Sequence, residues 1–291
     1  MMAKIVAIHG IGQEYLGGHT LHTTWYPALC DGLRAADKKI VAGDDVEVIF
    51  YGDLFRPSGT KAGIPLIQPE DITGQEAALL MVWWQEAARL SELARHGQAD
   101  ESTQIQPPAF VGKASAPVTV QRALLQLSKS RFFAGLGGER LLIFGLRQVR
   151  RFLHEADIKA KILERVANAV KPDTRVLIGH SLGSVVAYEA LCAHPDWPID
   201  RFITLGSPLG IYNVVFDALT PKPIDGCGTW PGQIRQWVNI ADSGDIVALN
   251  KKLAPMFGNV TDVLTDNGWK SHDAIRYLTS REVGNAISNA L

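Results

Sequence analysis

Val176-Leu177-Ile178-Gly179-His180-Ser181-Leu182-Gly183-Ser184-Val185-Val186-Ala187 is the stretch on which the reading of the fold turns. It opens as a short apolar run, the composition of a parallel strand buried on both faces. It continues through small residues into an apolar helix. At the junction Ser181 stands between Gly179 and Gly183, a G-x-S-x-G spacing with a steric origin. A serine on a sharp strand-to-helix turn draws neighbouring backbone close, so the residues two before and two after must lack bulk. Such a turn exposes an Oγ at the carboxyl edge of a sheet, beside the N–H groups of the following helix. Glycine and serine are common, and the same spacing also occurs as a strand–helix connection without chemistry. The strand before it, the helix after it and the histidine at the variable position favour the chemical reading.

The rest of the chain sets the bounds. At 291 residues it can hold one large α/β domain or two small ones, and 46% hydrophobic residues can fill a sizeable core. A formal net charge of −1 gives no support to nucleic-acid binding. Cys30, Cys192 and Cys227 are too few and too scattered for a disulfide framework or a zinc site, and read as reduced thiols. Met1-Met2-Ala3-Lys4 lacks a separate signal-peptide core, and no apolar run reaches bilayer length. A soluble cytoplasmic protein is the expectation.

Ile5-Val6-Ala7-Ile8 reads as a buried strand stopped at His9-Gly10-Ile11-Gly12. A helix is expected around Leu21 to Ala35, and a second strand in Asp45 to Tyr51. His19 and His22 lack further ligands at metal spacing and read as part of a loop at the mouth of the site. From Leu54 to Glu155 the strand–helix alternation stops. Arg56 to Gly59 and Gly63 to Pro65 are loop chemistry, and Gly97 to Pro117 is a polar spacer. Helices are expected at Ala77 to Ala94, Val118 to Ser128 and Glu139 to His154. Residues 54–155 therefore read as a helical insertion, a cap or lid, in a core formed by 1–53 and 156–291. Within it, Leu141 to Leu146 with Arg147, Arg150 and Arg151 is an apolar stripe with a basic edge. It either packs on the core or makes transient contact with lipid or acyl chains at a membrane surface. Ile158, Ile162, Val166 and Val170 mark the helix before the serine's strand, Arg201 to Leu205 a further strand, and Ile234 to Ile240 the last clear one. These intervals imply a mostly parallel sheet covered by helices on both faces.

A serine hydroxyl needs a base to take its proton, and the base a carboxylate to hold its tautomer. Downstream of Ser181 only His194 and His272 exist. His194 lies at the far end of the serine's own helix, whereas His272 sits in a loop before the helix Ala274 to Leu278. His272 is therefore the expected base. Asp242 and Asp245 both follow a strand end; Asp245, before Ile246-Val247, resembles the D-x-V after the acid strand of many lipase-like enzymes and is on that ground the preferred acid. Asp242 is the alternative and could instead brace the Ser243-Gly244 turn. Asp262, Asp266 and Asp273 follow no strand of the expected type. His180 reads as packed under the turn, and His9 as bracing its loop.

Together, His9-Gly10-Ile11-Gly12, Gly179-His180-Ser181-Leu182-Gly183, Thr204-Leu205-Gly206-Ser207-Pro208-Leu209, the Asp245 loop and His272 resemble the lipase-like α/β-hydrolases. The nearest likeness is to bacterial esterases similar to GPI inositol-deacylases. The resemblance spans Lys4 to Tyr51 and Ala156 to Tyr277. It implies hydrolysis of small-molecule or lipid carboxylic esters through an acyl-enzyme, with no metal or organic cofactor. In that scheme Ser181, His272 and Asp245 form the triad, and the Ile11 and Leu182 N–H groups form the oxyanion hole. Gly10, Gly12 and Ser207 line the substrate. An acyltransferase or peptidase would use the same triad, and a non-catalytic binding protein the same fold.

Overall fold

A computed structural model describes residues 4–56, 71–72, 74–96, 117–129 and 139–288. The loops expected between Pro57 and Pro65 and the spacer after Gly97 lie outside those residues. Among the described residues, six strands form one all-parallel sheet: β1 (Ile5–Ile8), β2 (Val46–Ile49), β3 (Val176–His180), β4 (Arg201–Leu205), β5 (Gln236–Asp242) and β6 (Val260–Thr265). They lie in the order β2-β1-β3-β4-β5-β6.

Alternation along the strands divides the core in two. Ile5 and Ala7 of β1, with Val176 and Ile178 of β3, face α1 (Gly18–Ala35), α8 (Ala274–Leu278) and α9 (Arg281–Ser288). Val6, Ile8 and Leu177 face the opposite layer, with α5 (Ala156–Ala169) and α6 (Leu182–Ala193). In α5, Ile158, Ile162 and Val166 recur every four residues and are buried, so one apolar stripe seats the helix. A short α7 (Ala254–Phe257) precedes β6. Burial on both faces explains why β1 and most of β3 read as apolar runs.

The order places a topological switch between β1 and β3. After β1 the chain leaves to the α1 face and returns to β2; after β3 it leaves to the α6 face and returns to β4. The loops at their adjoining carboxyl ends splay apart, the position where open parallel sheets form ligand crevices. His9–Gly12 and Ser181 occupy it.

The insertion contributes α2 (Gly74–His96), α3 (Pro117–Lys129) and α4 (Glu139–His154). Leu79, Leu80, Trp83, Leu124, Leu142, Ile143, Leu146 and Phe152 belong to the same apolar core as the sheet face below them. The described apolar residues of the stripe, Leu142 to Leu146, are packed inside the protein. The basic edge is ion-paired, Arg150 with Glu76 at 2.8 Å and Arg151 with Glu155 at 2.8 Å. No described helix is long and apolar enough to cross a membrane.

Two expectations are corrected. His19 and His22 lie within α1 and not in a loop. Ile234 to Ile240 is not the last strand, because β6 follows it and pairs with β5 from Trp237↔Val260 to Asp242↔Thr265.

Candidate active site

Ser181 is the hinge between β3 and α6, with φ +53° and ψ −129°. A side chain rarely adopts that backbone conformation, so the turn holds strain that its surroundings must enforce. The enforcement is visible in the two glycines. A Cβ on Gly179 would lie 2.5 Å from the Cα of Ser184, and one on Gly183 would lie 2.2 Å from the carbonyl oxygen of Ile8. Each glycine therefore allows two backbones to touch. The Ser181 N–H donates to the Leu205 carbonyl at 3.0 Å, and its own carbonyl accepts from the Ser184 hydroxyl at 2.6 Å. The Ser181 hydroxyl does not cap α6. Leu182, whose N–H was expected to serve the oxyanion, is the first residue of that helix and is buried.

The loop after β1 lies directly over the serine. A Cβ on Gly10 would come 2.6 Å from Ser181 Cβ and 3.1 Å from its Oγ. His9 fixes the loop. Its Nε2 accepts from the Tyr51 N–H at 3.2 Å, so Nδ1 carries the proton and donates to the Gly10 carbonyl at 2.7 Å. The Tyr51 hydroxyl donates to the His9 carbonyl at 2.6 Å, and the two rings stack at 4.1 Å. Holding the Gly10 carbonyl also fixes the Ile11 N–H, since the two share one planar peptide with opposed dipoles. Gly12 follows with φ +78°, a left-handed position suited to glycine.

Across the crevice, His272 Nδ1 lies 2.7 Å from Asp245 Oδ2. That oxygen also accepts from the Tyr277 hydroxyl at 2.7 Å, while Oδ1 accepts from the N–H groups of Val247 at 2.9 Å and Ala248 at 3.3 Å. Burial by itself would raise the Asp245 pKa. The charge and hydrogen bond of His272, the Lys251 ammonium and the Tyr277 hydroxyl outweigh it and hold the pKa at about 2. The Lys251 ammonium donates to the carbonyls of Asp245 and Ala248. His272 Nε2 is buried and bonded to no described residue, so its lone pair is not consumed by a structural contact. It is not hydrogen-bonded to Ser181 either, and such contacts are often long before substrate tightens them.

The other carboxylates near this edge have structural partners. Asp242, the alternative acid, accepts from the N–H groups of Gly244 at 2.7 Å and of Asn267, and so ties two turns together. Asp273 caps α8 through the Ile275 N–H at 2.9 Å. Asp262 holds Asn239 and the start of α7, and Asp266 its own turn at Gly268. His180, one residue before the serine, donates from Nε2 to the His272 carbonyl at 3.0 Å, which anchors the base's loop beneath the turn. His194 stacks on Trp197 at the far end of α6. His22 bonds the Gly43 carbonyl, and no group of three or more described His, Cys, Asp or Glu residues could hold a metal ion.

Ser207 departs from expectation. It is 2% exposed, its hydroxyl lies 2.7 Å from that of Ser184, and it accepts from the Leu209 N–H at 3.2 Å. Through Ser184 it braces the serine turn. Two contributors went unseen in the sequence. Gly206, at φ +54°, leaves room for the acid–base pair: a Cβ there would lie 2.6 Å from Asp245 Oδ2 and 3.0 Å from His272 Nδ1. Tyr277, five residues beyond His272 and on α8, donates its hydroxyl to the same Asp245 oxygen, and nothing in the intervening residues signals that pairing.

Two buried histidines make the fold sensitive to acid. Burial lowers the pKa of His9 to about 4 and that of His180 to about 3. In the unfolded chain both would protonate near pH 6.5. Below that pH the unfolded state takes up protons that the native state refuses, and stability falls. Each histidine adds up to about 1.4 kcal/mol per pH unit until its own folded pKa is reached. Urea unfolding should therefore give a clearly lower midpoint at pH 5 than at pH 7. Equal midpoints would mean that the two histidines are protonated in the folded protein.

Comparison with protein-family models, curated protein sequences and solved structures finds no match to this chain.

Proposed function

We propose that this protein is a serine hydrolase of the α/β-hydrolase type that cleaves carboxylic esters through an acyl-enzyme. The observation that carries the reading is a serine at positive φ on the carboxyl edge of β3, with a buried Asp–His pair on the neighbouring loops. In this reading His272 Nε2 takes the Ser181 proton as Oγ attacks the ester carbonyl carbon. The oxygen becomes an oxyanion between the N–H groups of Ile11 and Leu182, at the positive end of α6. His272 returns the proton to the departing alkoxide, which leaves as an alcohol. Water, deprotonated by the same nitrogen, then attacks the acyl carbon and releases the carboxylic acid and Ser181. Asp245 keeps Nδ1 protonated throughout and stabilises the imidazolium.

The test is a p-nitrophenyl ester series from acetyl to palmitoyl, together with a fluorophosphonate probe whose adduct is located by mass spectrometry. Ester turnover and an adduct on Ser181 are the expected results. Transfer of the acyl group to an added alcohol or thiol faster than to water would make the protein an acyltransferase. Neither turnover nor labelling would leave the fold as a binding scaffold and defeat the proposal.

A further inference from the structure

The insertion touches the loop that the proposed mechanism uses for its first oxyanion donor. Residues 9–16 follow β1 and are held at their outer end by Arg56, which donates to the carbonyls of Glu14 at 2.6 Å and Leu16 at 3.2 Å. From the opposite side, α4 makes two contacts. Its Gly145 packs on the Ile11 side chain: a Cβ there would stand 2.7 Å from the movable Cδ1 and at ordinary contact distance, 3.6 Å, from Cγ1. One turn later, Gln148 donates from Nε2 to Glu14 Oε2 at 3.0 Å. Gly145 and Gln148 are three residues apart on one helix face, and Ile11 and Glu14 are three apart on the loop. The polar contact is fully inside the protein, with Glu14 and Gln148 each 2% exposed. A buried carboxylate without its donor is costly, so this contact resists any register in which α4 stands away from the loop. The helix itself is held by Arg150 on Glu76 of α2.

We propose that α4 is a positioning element of the oxyanion loop, with Gln148, through Glu14, setting where the Ile11 N–H stands. The inference rests on the esterase reading of Ser181 and Ile11. It makes the insertion a working part of the site. Oxyanion donors act through fixed geometry, and a shift of about 1 Å weakens them severely.

The experiment compares wild type, Gln148→Leu, Glu14→Leu and the swapped double variant Glu14→Gln/Gln148→Glu. The swap keeps an amide facing a carboxylate with the roles exchanged. Ester kinetics are measured beside inhibition by a trifluoromethyl ketone, which mimics the tetrahedral intermediate. In the single variants, kcat should fall about 10- to 100-fold with KM nearly unchanged, and the inhibitor should weaken by the same factor. The swap should return kcat to within about threefold of wild type, and it alone suffices if Gln148→Leu does not fold. Folded single variants with wild-type kcat, or a folded swap no better than Gln148→Leu, would overturn the inference and leave the esterase reading intact. A wild type that neither turns over esters nor takes up fluorophosphonate would remove the esterase reading first, and this inference with it.

Discussion

Replacing Ser181 by alanine is expected to lower ester turnover by about 10^6, the scale of losing the nucleophile of a triad, while the fold persists. Persistence follows from what holds the residue. Its N–H and carbonyl bind Leu205 and Ser184, and its hydroxyl does not cap the helix, so the variant loses the reacting atom and keeps the backbone bonds. Ser181→Gly should be equally inactive but more stable than Ser181→Ala. At φ +53° the alanine retains the Cβ that makes the turn strained, and glycine relieves it by about 1 kcal/mol. Thermal unfolding should place the glycine variant on the order of 2 °C above the alanine variant. Near-wild-type turnover in either would remove Ser181 as nucleophile. A glycine variant no more stable than the alanine one would mean that the turn carries no strain.

The same turn was legible in the sequence through its glycines. Gly179 is demanded by Ser184 within the turn itself, and Gly183 by Ile8 at the end of the neighbouring strand β1. Strands β1, β3 and β4 were legible because burial on both faces fills them mostly with apolar residues. Strand β6 was hidden because it lies at the sheet edge, with polar residues in its body. Its Asp262 is tolerated there only because Asn239, Leu253 and Ala254 supply donors from elsewhere. Ser207 was misread for a related reason: its partner Ser184 sits on α6, and nothing in the intervening residues announces that pairing. The stripe of α4 could not be resolved from its own pattern, because inward packing and lipid contact call for the same residues. Only its neighbours α2 and the sheet reveal the inward packing.

Asp245→Asn is the second substitution with a large expected effect, and its severity comes from the donors around the carboxylate. Oδ2 receives His272 Nδ1 and the Tyr277 hydroxyl; Oδ1 receives two backbone N–H groups. The tyrosine has no freedom to reverse, because its oxygen already accepts the Asp242 N–H at 2.8 Å and its one proton must go to Asp245. An asparagine amide fits neither way round. With its NH2 toward Val247 and Ala248, donor meets donor. With its NH2 toward His272, Nδ1 must accept, which moves the imidazole proton to Nε2 and removes the lone pair that would take the serine proton. The carboxamide therefore either destabilises the loop or inverts the tautomer, and kcat should fall about 10^4-fold with the protein still folded. Asp242→Asn is the informative comparison. That carboxylate binds only the Gly244 and Asn267 turns, so its variant should lose thermal stability yet keep kcat within about tenfold of wild type. If Asp242→Asn abolished turnover and Asp245→Asn did not, the acid would be Asp242, and the hydrogen bond between Asp245 and His272 would be structural.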